Sequence, residues 1–114
     1  MKTSIRFFEN IPARAVWDQE NNKWLFSAVD IVKAVTKSRN PRVYWNSIKR
    51  RKSELSTICR QLKLKSFEGK SYLTDVLDSG AVSMVLEIIK SKSNYAFSGW
   101  FKKSIQMSIE ELGS

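Results

Sequence analysis

Residues 13–35 read ARAVWDQENNKWLFSAVDIVKAV, and this stretch decides the fold. It predicts one β-strand from Ala13 to Trp17 and another over Trp24–Phe26, because both runs are rich in residues that favour strands. The intervening segment 18–22 consists of Asp, Gln, Glu and Asn residues, several of which favour turns. Residues 5–8 (IRFF) predict a further strand just before this hairpin.

The end of the same stretch predicts a helix. The segment from Ser27 to Asp30 resembles a capping box, with Asp30 in the place more often held by Glu. The helix that it opens has an apolar face made of Ala28, Ile31, Val32 and Val35. After a polar connector, Pro41 begins a second helix that extends to about Lys52, since the first helical position needs no N–H donor.

The remaining sequence predicts a second hairpin and two more helices. Leu62–Lys65 alternates as a half-buried strand does, and 68–70 (EGK) is a tight turn into a strand over Ser71–Thr74. Thr74 is expected to cap a third helix that carries Val76, Leu77, Ala81, Met84, Val85 and Ile88. A fourth helix follows a break at 91–94, with apolar spacing over Phe97, Phe101, Ile105, Ile109 and Leu112.

The predicted order of elements is ββ(β)ααββαα, which indicates a single α+β domain over 1–114 with small antiparallel hairpins and about four helices. A chain of 114 residues is long enough for one hydrophobic core. Its single cysteine, Cys59, excludes an internal disulfide and suggests a reducing compartment. We therefore expect a cytoplasmic protein that is not secreted and has no membrane partner, since no apolar run approaches the roughly 20 residues of a membrane span.

The net charge of +9 is confined to one part of the sequence. The segment from Lys37 to Lys70 contains eleven basic and two acidic residues, so it accounts for the whole excess. Elsewhere nine basic and nine acidic residues cancel. Such segregation is typical of a surface that binds a polyanion.

On the second helix, Tyr44, Trp45 and Ile48 fall on one side, and the cations fall on the other. Cations on one face can neutralise phosphates, while Arg42 and Asn46 have the geometry to read base edges. The two consecutive helices can form a unit like a helix-turn-helix, with the second helix as the reader. The predicted nucleic-acid-binding residues are Lys37, Arg39, Arg42, Asn46, Lys49, Arg50, Lys52, Lys63 and Lys65.

Two alternatives stay open for these residues. The cations of the second helix are compatible with an ordinary solvated helix face. Lys63 and Lys65 share one strand face, where they either contact nucleic acid or protect an exposed sheet edge. The four Trp residues either pack in the core, which their apolar neighbours favour, or stack on unpaired bases.

The sequence offers little for catalysis, and we expect no enzyme activity, no catalytic residue, no metal and no cofactor. It contains no His, which removes the commonest acid–base group and the usual triads. Cys59 is expected to be a small buried hydrophobe. Asp75 and Asp78 lie one turn apart at the start of the predicted third helix; they either bind Mg²⁺ or, as we favour, complement the helix dipole.

Several blocks of the sequence resemble the N-terminal domain of the BRO family, which occurs in phage antirepressors and viral BRO proteins. The blocks are 5–35 (IRFFENIPARAVWDQENNKWLFSAVDIVKAV), 40–51 (NPRVYWNSIKRR) and 56–76 (STICRQLKLKSFEGKSYLTDV), within a resemblance that covers roughly 5–90. The resemblance implies a DNA-binding domain of a phage or mobile-element regulator. It extends to Asn40, Pro41, Arg42, Tyr44, Trp45 and the basic residues that follow.

Residues and resemblance together predict a non-enzymatic DNA-binding domain of a transcriptional regulator or antirepressor, with duplex DNA favoured over single strands. The alternative function is a protein-interaction module that binds an acidic repressor or another partner, because a basic patch suits an acidic protein as well. A homodimer is a further expectation, since pairing would double a small DNA site. The fourth helix would provide that interface unless, as we favour, its Phe97, Phe101 and Ile105 close the core instead.

Overall fold

The structure is a computed structural model that describes residues 3–89 and 96–103. Its strands are β1 (Thr3–Phe8), β2 (Ile11–Asp18), β3 (Lys23–Ser27), β4 (Arg60–Lys65) and β5 (Ser71–Leu77). Its helices are α1 (Ala28–Thr36), α2 (Pro41–Arg51), α3 (Leu55–Ile58), α4 (Ser79–Ile88) and α5, of which residues 96–103 are described. The α+β class is confirmed.

The predicted hairpins join into one antiparallel sheet of five strands in the order β1-β2-β3-β5-β4. The β1–β2 hairpin is closed by a two-residue turn, Glu9 and Asn10, both with positive φ, as the twist of a tight hairpin requires. In the next hairpin Trp17 lies opposite Trp24, and their rings meet edge to face at 5.4 Å. The two halves of the sheet are joined where Phe26 pairs with Leu77 and Ser27 with Val76.

The helices pack on one face of the sheet and bury the main core. The apolar face predicted for α1 is confirmed, because Ala28, Ile31, Val32 and Val35 are at most 1% exposed. Trp45 and Ile48 of α2 and the start of α3 at Leu55 close the same core. No helix in the described parts of the chain is long and apolar enough to cross a membrane.

The other face of the sheet carries a second cluster made only of strand residues. Val16, Leu25, Leu64 and Val76 are buried there although no helix residue belongs to the cluster. The sheet curls so that β4 returns over β2, even though β3 and β5 lie between them in the sheet. Two side chains bridge these strands: Arg60 Nη1 lies 2.7 Å from Asp18 Oδ2, and Arg14 Nη1 donates to the Lys65 carbonyl at 3.1 Å.

Arg14 of β2 is the centre of the junction between the sheet and α1. Its Nε and Nη2 donate to the two carboxylate oxygens of Asp30 at 2.8 and 3.2 Å, and its backbone N–H also donates to Asp30, at 2.9 Å. Both side chains are almost buried, with 12% and 10% of their surface exposed. The capping box predicted at Ser27 is therefore wrong. Ser27 makes no side-chain cap, and its Oγ accepts from Arg14 Nη2 because the buried guanidinium needs these acceptors.

The predicted start of the third helix is also wrong. Thr74, Val76 and Leu77 belong to β5, which continues until it has paired with β3. The helix begins after Asp78, whose Oδ1 accepts from the Ala81 N–H at 2.9 Å. The short α3, within a segment where we predicted no helix, was missed. The break at 91–94 and Ile105, Ile109 and Leu112 lie outside the described residues.

The described part of α5 closes the core. Phe97 and Phe101 are 0% and 4% exposed, and both rings contact aromatic side chains of the sheet. Phe97 lies edge to face against Phe8 at 5.2 Å, and Phe101 against Phe26 at 4.7 Å. Of the two roles foreseen for these residues, core packing is confirmed, which leaves their rings unable to form a dimer surface.

We predict that Asp30→Asn lowers the free energy of unfolding by about 3–5 kcal/mol, because it leaves the Arg14 guanidinium buried without its anion. Urea denaturation at neutral pH measures the change. Glu9→Gln is the matched control: its exposed ion pair with Lys37, 3.0 Å long, should contribute less than about 1 kcal/mol. Equal effects of the two substitutions would contradict the central role of Asp30.

Candidate nucleic-acid interface

Helix α2 presents the cations of the candidate interface. It begins at Pro41, and the Oδ1 of the preceding Asn40 accepts from the Val43 N–H at 3.3 Å, which satisfies a free donor of the first turn. Its last turn contains Lys49, Arg50 and Arg51, which suit the negative end of the helix dipole. Arg42, Asn46 and Arg50 are exposed, as predicted.

The carboxylate of Asp75 fixes α2 to β5. Trp45 Nε1 and Lys49 Nζ each donate to its Oδ2 at 2.7 Å, and Gln61 Nε2 from β4 donates to its Oδ1 at 3.2 Å. Burial acts to raise the pKa of the Asp75 carboxyl, but the hydrogen bonds from Lys49, Trp45 and Gln61 outweigh it and lower the pKa below its usual value. One carboxylate thus joins a helix and two strands.

Lys49 differs from its predicted role as a freely presented cation. It lies in the ion pair with Asp75, its side chain is only 27% exposed, and its Nζ is 5.7 Å from the centre of the Trp45 ring. Helical spacing placed it beside Arg42 and Asn46, but a carboxylate 26 residues further along the sequence turns it towards the protein.

The eleven cations between Lys37 and Lys70 divide into two groups. Three form ion pairs with carboxylates outside the segment: Lys37 with Glu9, Lys49 with Asp75 and Arg60 with Asp18. The other eight are exposed and have no carboxylate within ion-pair distance in the described part of the chain. They are Arg39, Arg42, Arg50, Arg51, Lys52, Lys63, Lys65 and Lys70.

The hairpin of β4 and β5 forms the other side of the interface. Lys63 and Lys65 are exposed on one strand face and alternate with Leu62 and Leu64, as predicted. Arg60 lies on the opposite face of β4 from Lys63 and Lys65, and it pairs with the buried Asp18 across the curled sheet. Hydrogen bonds from the side chain and the backbone N–H of Asn21, and one from Arg60, lower the pKa of the Asp18 carboxyl against the effect of its burial.

A groove of about 620 Å³ runs between α2 and this hairpin. Among the predicted site residues it brings together Arg42, Asn46 and Lys49, while the other six do not line it. Its remaining wall includes Gln61, Thr74, Phe67, Tyr72 and Leu73, none of which we predicted as a site residue. Their signal was weak, because exposed aromatic and polar residues in a hairpin have many uses.

The two aspartates considered for Mg²⁺ are not in one helical turn. Asp75 lies in β5 and Asp78 caps α4, where hydrogen bonds from the Ala81 N–H and from Lys23 lower the pKa of its carboxyl. Over 3–89 and 96–103, no three His, Cys, Asp or Glu side chains gather as metal ligands. Burial, together with the charge of Asp75, raises the pKa of the half-buried Cys59 thiol to about 11.

The Trp residues belong mainly to the core. Trp24 and Trp45 are 6% and 2% exposed, and Trp17 and Trp100 are half-buried against the same cluster. Packing, which the sequence favoured over stacking on bases, is thus confirmed for Trp24 and Trp45.

We predict that the free energy of unfolding falls as the pH drops below about 4, the usual carboxyl pKa. Asp18, Asp75 and Asp78 have lowered pKa values in the folded protein, so they stay ionised there while the unfolded chain takes up protons. Asp75→Asn should remove one of these groups and make the fall shallower. At neutral pH it should cost about 1–3 kcal/mol, since it weakens charge-assisted hydrogen bonds.

Urea denaturation between pH 7 and pH 2.5, roughly the range over which carboxylates titrate, measures both effects. Glu54→Gln, which changes an exposed acidic residue, is the control. Its free energy of unfolding should stay within about 0.5 kcal/mol of that of the parent protein. If the free energy of unfolding depends on pH in the same way in the parent protein and in Asp75→Asn, ionisation of Asp75 does not contribute to the loss of stability in acid.

Comparison with known proteins gives no relative on which to base a function: no family model, curated protein or solved structure matches the chain. The resemblance to the BRO family therefore stays a prediction from the sequence blocks.

Proposed function

We propose that this chain is a non-enzymatic DNA-binding domain of a transcriptional regulator, of the kind used by phages and mobile elements. One observation carries the proposal: the eight exposed cations of 37–70 that have no carboxylate partner among the described residues. The folded protein uses three cations of this segment in ion pairs and leaves these eight facing solvent. Such an excess is suited to neutralising phosphates and releasing their counterions.

Within this proposal, Arg42 and Asn46 read bases. They lie one turn apart on α2, and both are exposed at the groove. Arginine suits the O6 and N7 acceptors of guanine, and asparagine suits the N6 and N7 groups of adenine. A helix of 11 residues that exposes such side chains fits the major groove of duplex DNA, which admits one helix.

The other predicted site residues contribute unequally to the proposed binding of DNA. Arg39, Arg50, Lys52, Lys63 and Lys65 are proposed to contact phosphates, and Arg51 and Lys70 join them because they are equally exposed. Lys37 and Lys49 already neutralise Glu9 and Asp75, so their contribution to binding is smaller. The proposed type of regulator rests on the resemblance of blocks 5–35, 40–51 and 56–76 to the BRO family.

A protein-interaction module is the second candidate function. It is favoured by the exposed apolar side chains of Phe67, Tyr72 and Leu73 beside the cations, since an acidic protein partner would use both. Absence of binding to any duplex at low salt, combined with capture of one defined acidic protein, would replace the DNA proposal by this one.

We predict that the affinity for a random duplex falls steeply with salt, by a slope of about −0.9 in log K against log salt for each phosphate neutralised. Arg50→Gln and Lys63→Gln should each make this slope shallower by about one unit, because each removes one of the proposed phosphate contacts. Fluorescence anisotropy at several salt concentrations measures the slope, and circular dichroism checks that each variant is folded.

Lys37→Gln is the matched control, because it removes a cation from the same segment that is already paired with Glu9. Its slope should change by less than half as much as that of Arg50→Gln. A slope that responds equally to all three substitutions would mean that net charge alone, and not the exposed set, governs binding.

A further inference from the structure

The β4–β5 hairpin exposes three large apolar side chains, one in its turn and two on β5. Phe67, Tyr72 and Leu73 are 58%, 47% and 63% exposed, and all three line the groove beside α2. We call them the tip cluster. Burial of such side chains is favourable by about 1.5–3 kcal/mol each, so exposed apolar side chains that line one groove indicate a contact surface.

The turn that carries Phe67 has a defined geometry. The Gly69 N–H donates to the Ser66 carbonyl at 3.0 Å, and the Ser66 N–H donates to the Lys70 carbonyl at 2.6 Å. Gly69 has φ of 95°, the positive angle that a three-residue hairpin loop needs at this position. The Ser66 hydroxyl also accepts from the Lys70 N–H, at 3.2 Å, which further fixes the turn.

Arg14 supports Phe67 from behind. Its Cζ lies 5.3 Å from the centre of the Phe67 ring, within the range of a cation–π contact. Arg14 is itself held by Asp30 and donates to the Lys65 carbonyl. The exposed aromatic ring therefore packs against an ion pair that is almost buried, and this contact fixes the position of the ring relative to the sheet.

Cations flank the tip cluster on both sides. Lys65 and Lys70 lie on either side of the turn, and Arg42 stands across the groove on α2, with Glu68 as the acid of the turn. An apolar side chain between cations complements duplex DNA, where a base step that can be unstacked lies between two rows of phosphates. The amide side chains of Asn46 and Gln61 in the adjoining groove provide further hydrogen bonds for a polar ligand of this kind.

We propose that Phe67 is a wedge that inserts between neighbouring base pairs and kinks the duplex, while Lys65 and Lys70 contact the phosphates on either side. The inference rests on the proposed DNA-binding function and extends it, because it adds the hairpin as a second reading element and predicts a bent ligand. Phe and Leu are among the apolar side chains that act as such wedges.

The test uses the full chain and a duplex of about 30 base pairs with a donor and an acceptor dye at its ends. Energy transfer reports the bend, and anisotropy reports affinity. The parent protein should bend the duplex. Phe67→Ala should abolish the bend and weaken binding about tenfold, the scale of one lost contact between an aromatic side chain and a base. Phe67→Leu should keep most of the bend.

Phe7→Ala is the control, because Phe7 is 61% exposed but lies on β1 and does not line the groove beside α2; it should change neither readout. Binding by the parent protein without bending, or a bend that survives in Phe67→Ala, would overturn the wedge and leave the DNA proposal standing. Absence of duplex binding at low salt would overturn both. Binding to anionic lipid vesicles that is lost in Phe67→Ala, with DNA bending unchanged, would assign the tip cluster to a membrane surface instead.

Discussion

The buried ion pair between Arg14 and Asp30 is the constraint on which the rest of the structure depends. The Arg14 side chain is only 12% exposed, and burying a guanidinium is costly unless its donors find acceptors. Arg14 finds them on three elements: the carboxylate at the start of α1, the Ser27 hydroxyl at the end of β3 and the Lys65 carbonyl at the end of β4. Satisfying this one side chain therefore sets α1 on the sheet and holds the curled hairpin against β2.

Asp75 plays the corresponding part for α2, with the charges reversed. Here a carboxylate collects the donors, from Trp45, Lys49 and Gln61, and joins the helix to the hairpin. Asp18 and Asp75 lie outside the basic segment in the sequence, and within the fold each neutralises one of its basic side chains. The cations that form no such pair make up the positive surface charge of the basic segment. The fold and the proposed DNA surface therefore depend on the same set of ion pairs.

The sequence predicted those features that depend on local spacing. The bounds of α1 and α2, the first two hairpin strands and the alternation of Leu62 to Lys65 all follow from periods of 3.6 or 2. The errors have one physical origin, which is pairing between distant residues. Thr74 was predicted to cap a helix. That prediction failed because pairing with β3, some 50 residues earlier, extends β5 past Thr74 to Leu77. Asp30 was assigned to a helix cap, but it pairs with Arg14, 16 residues earlier. Lys49 was assigned to the solvent-exposed face, but it pairs with Asp75, 26 residues later.

The same long-range contacts have a consequence for binding. The candidate interface has two parts, α2 and the β4–β5 hairpin, and each is tied to the sheet through a buried or half-buried aspartate, Asp75 for the helix and, through Arg14, Asp30 for the hairpin. Their spacing is therefore set before any ligand arrives, and less conformational entropy is lost when both engage. An interface built in this way separates two properties. In the proposed function, the exposed cations would govern how affinity depends on salt, whereas the two aspartates would govern whether helix and hairpin contact the ligand together.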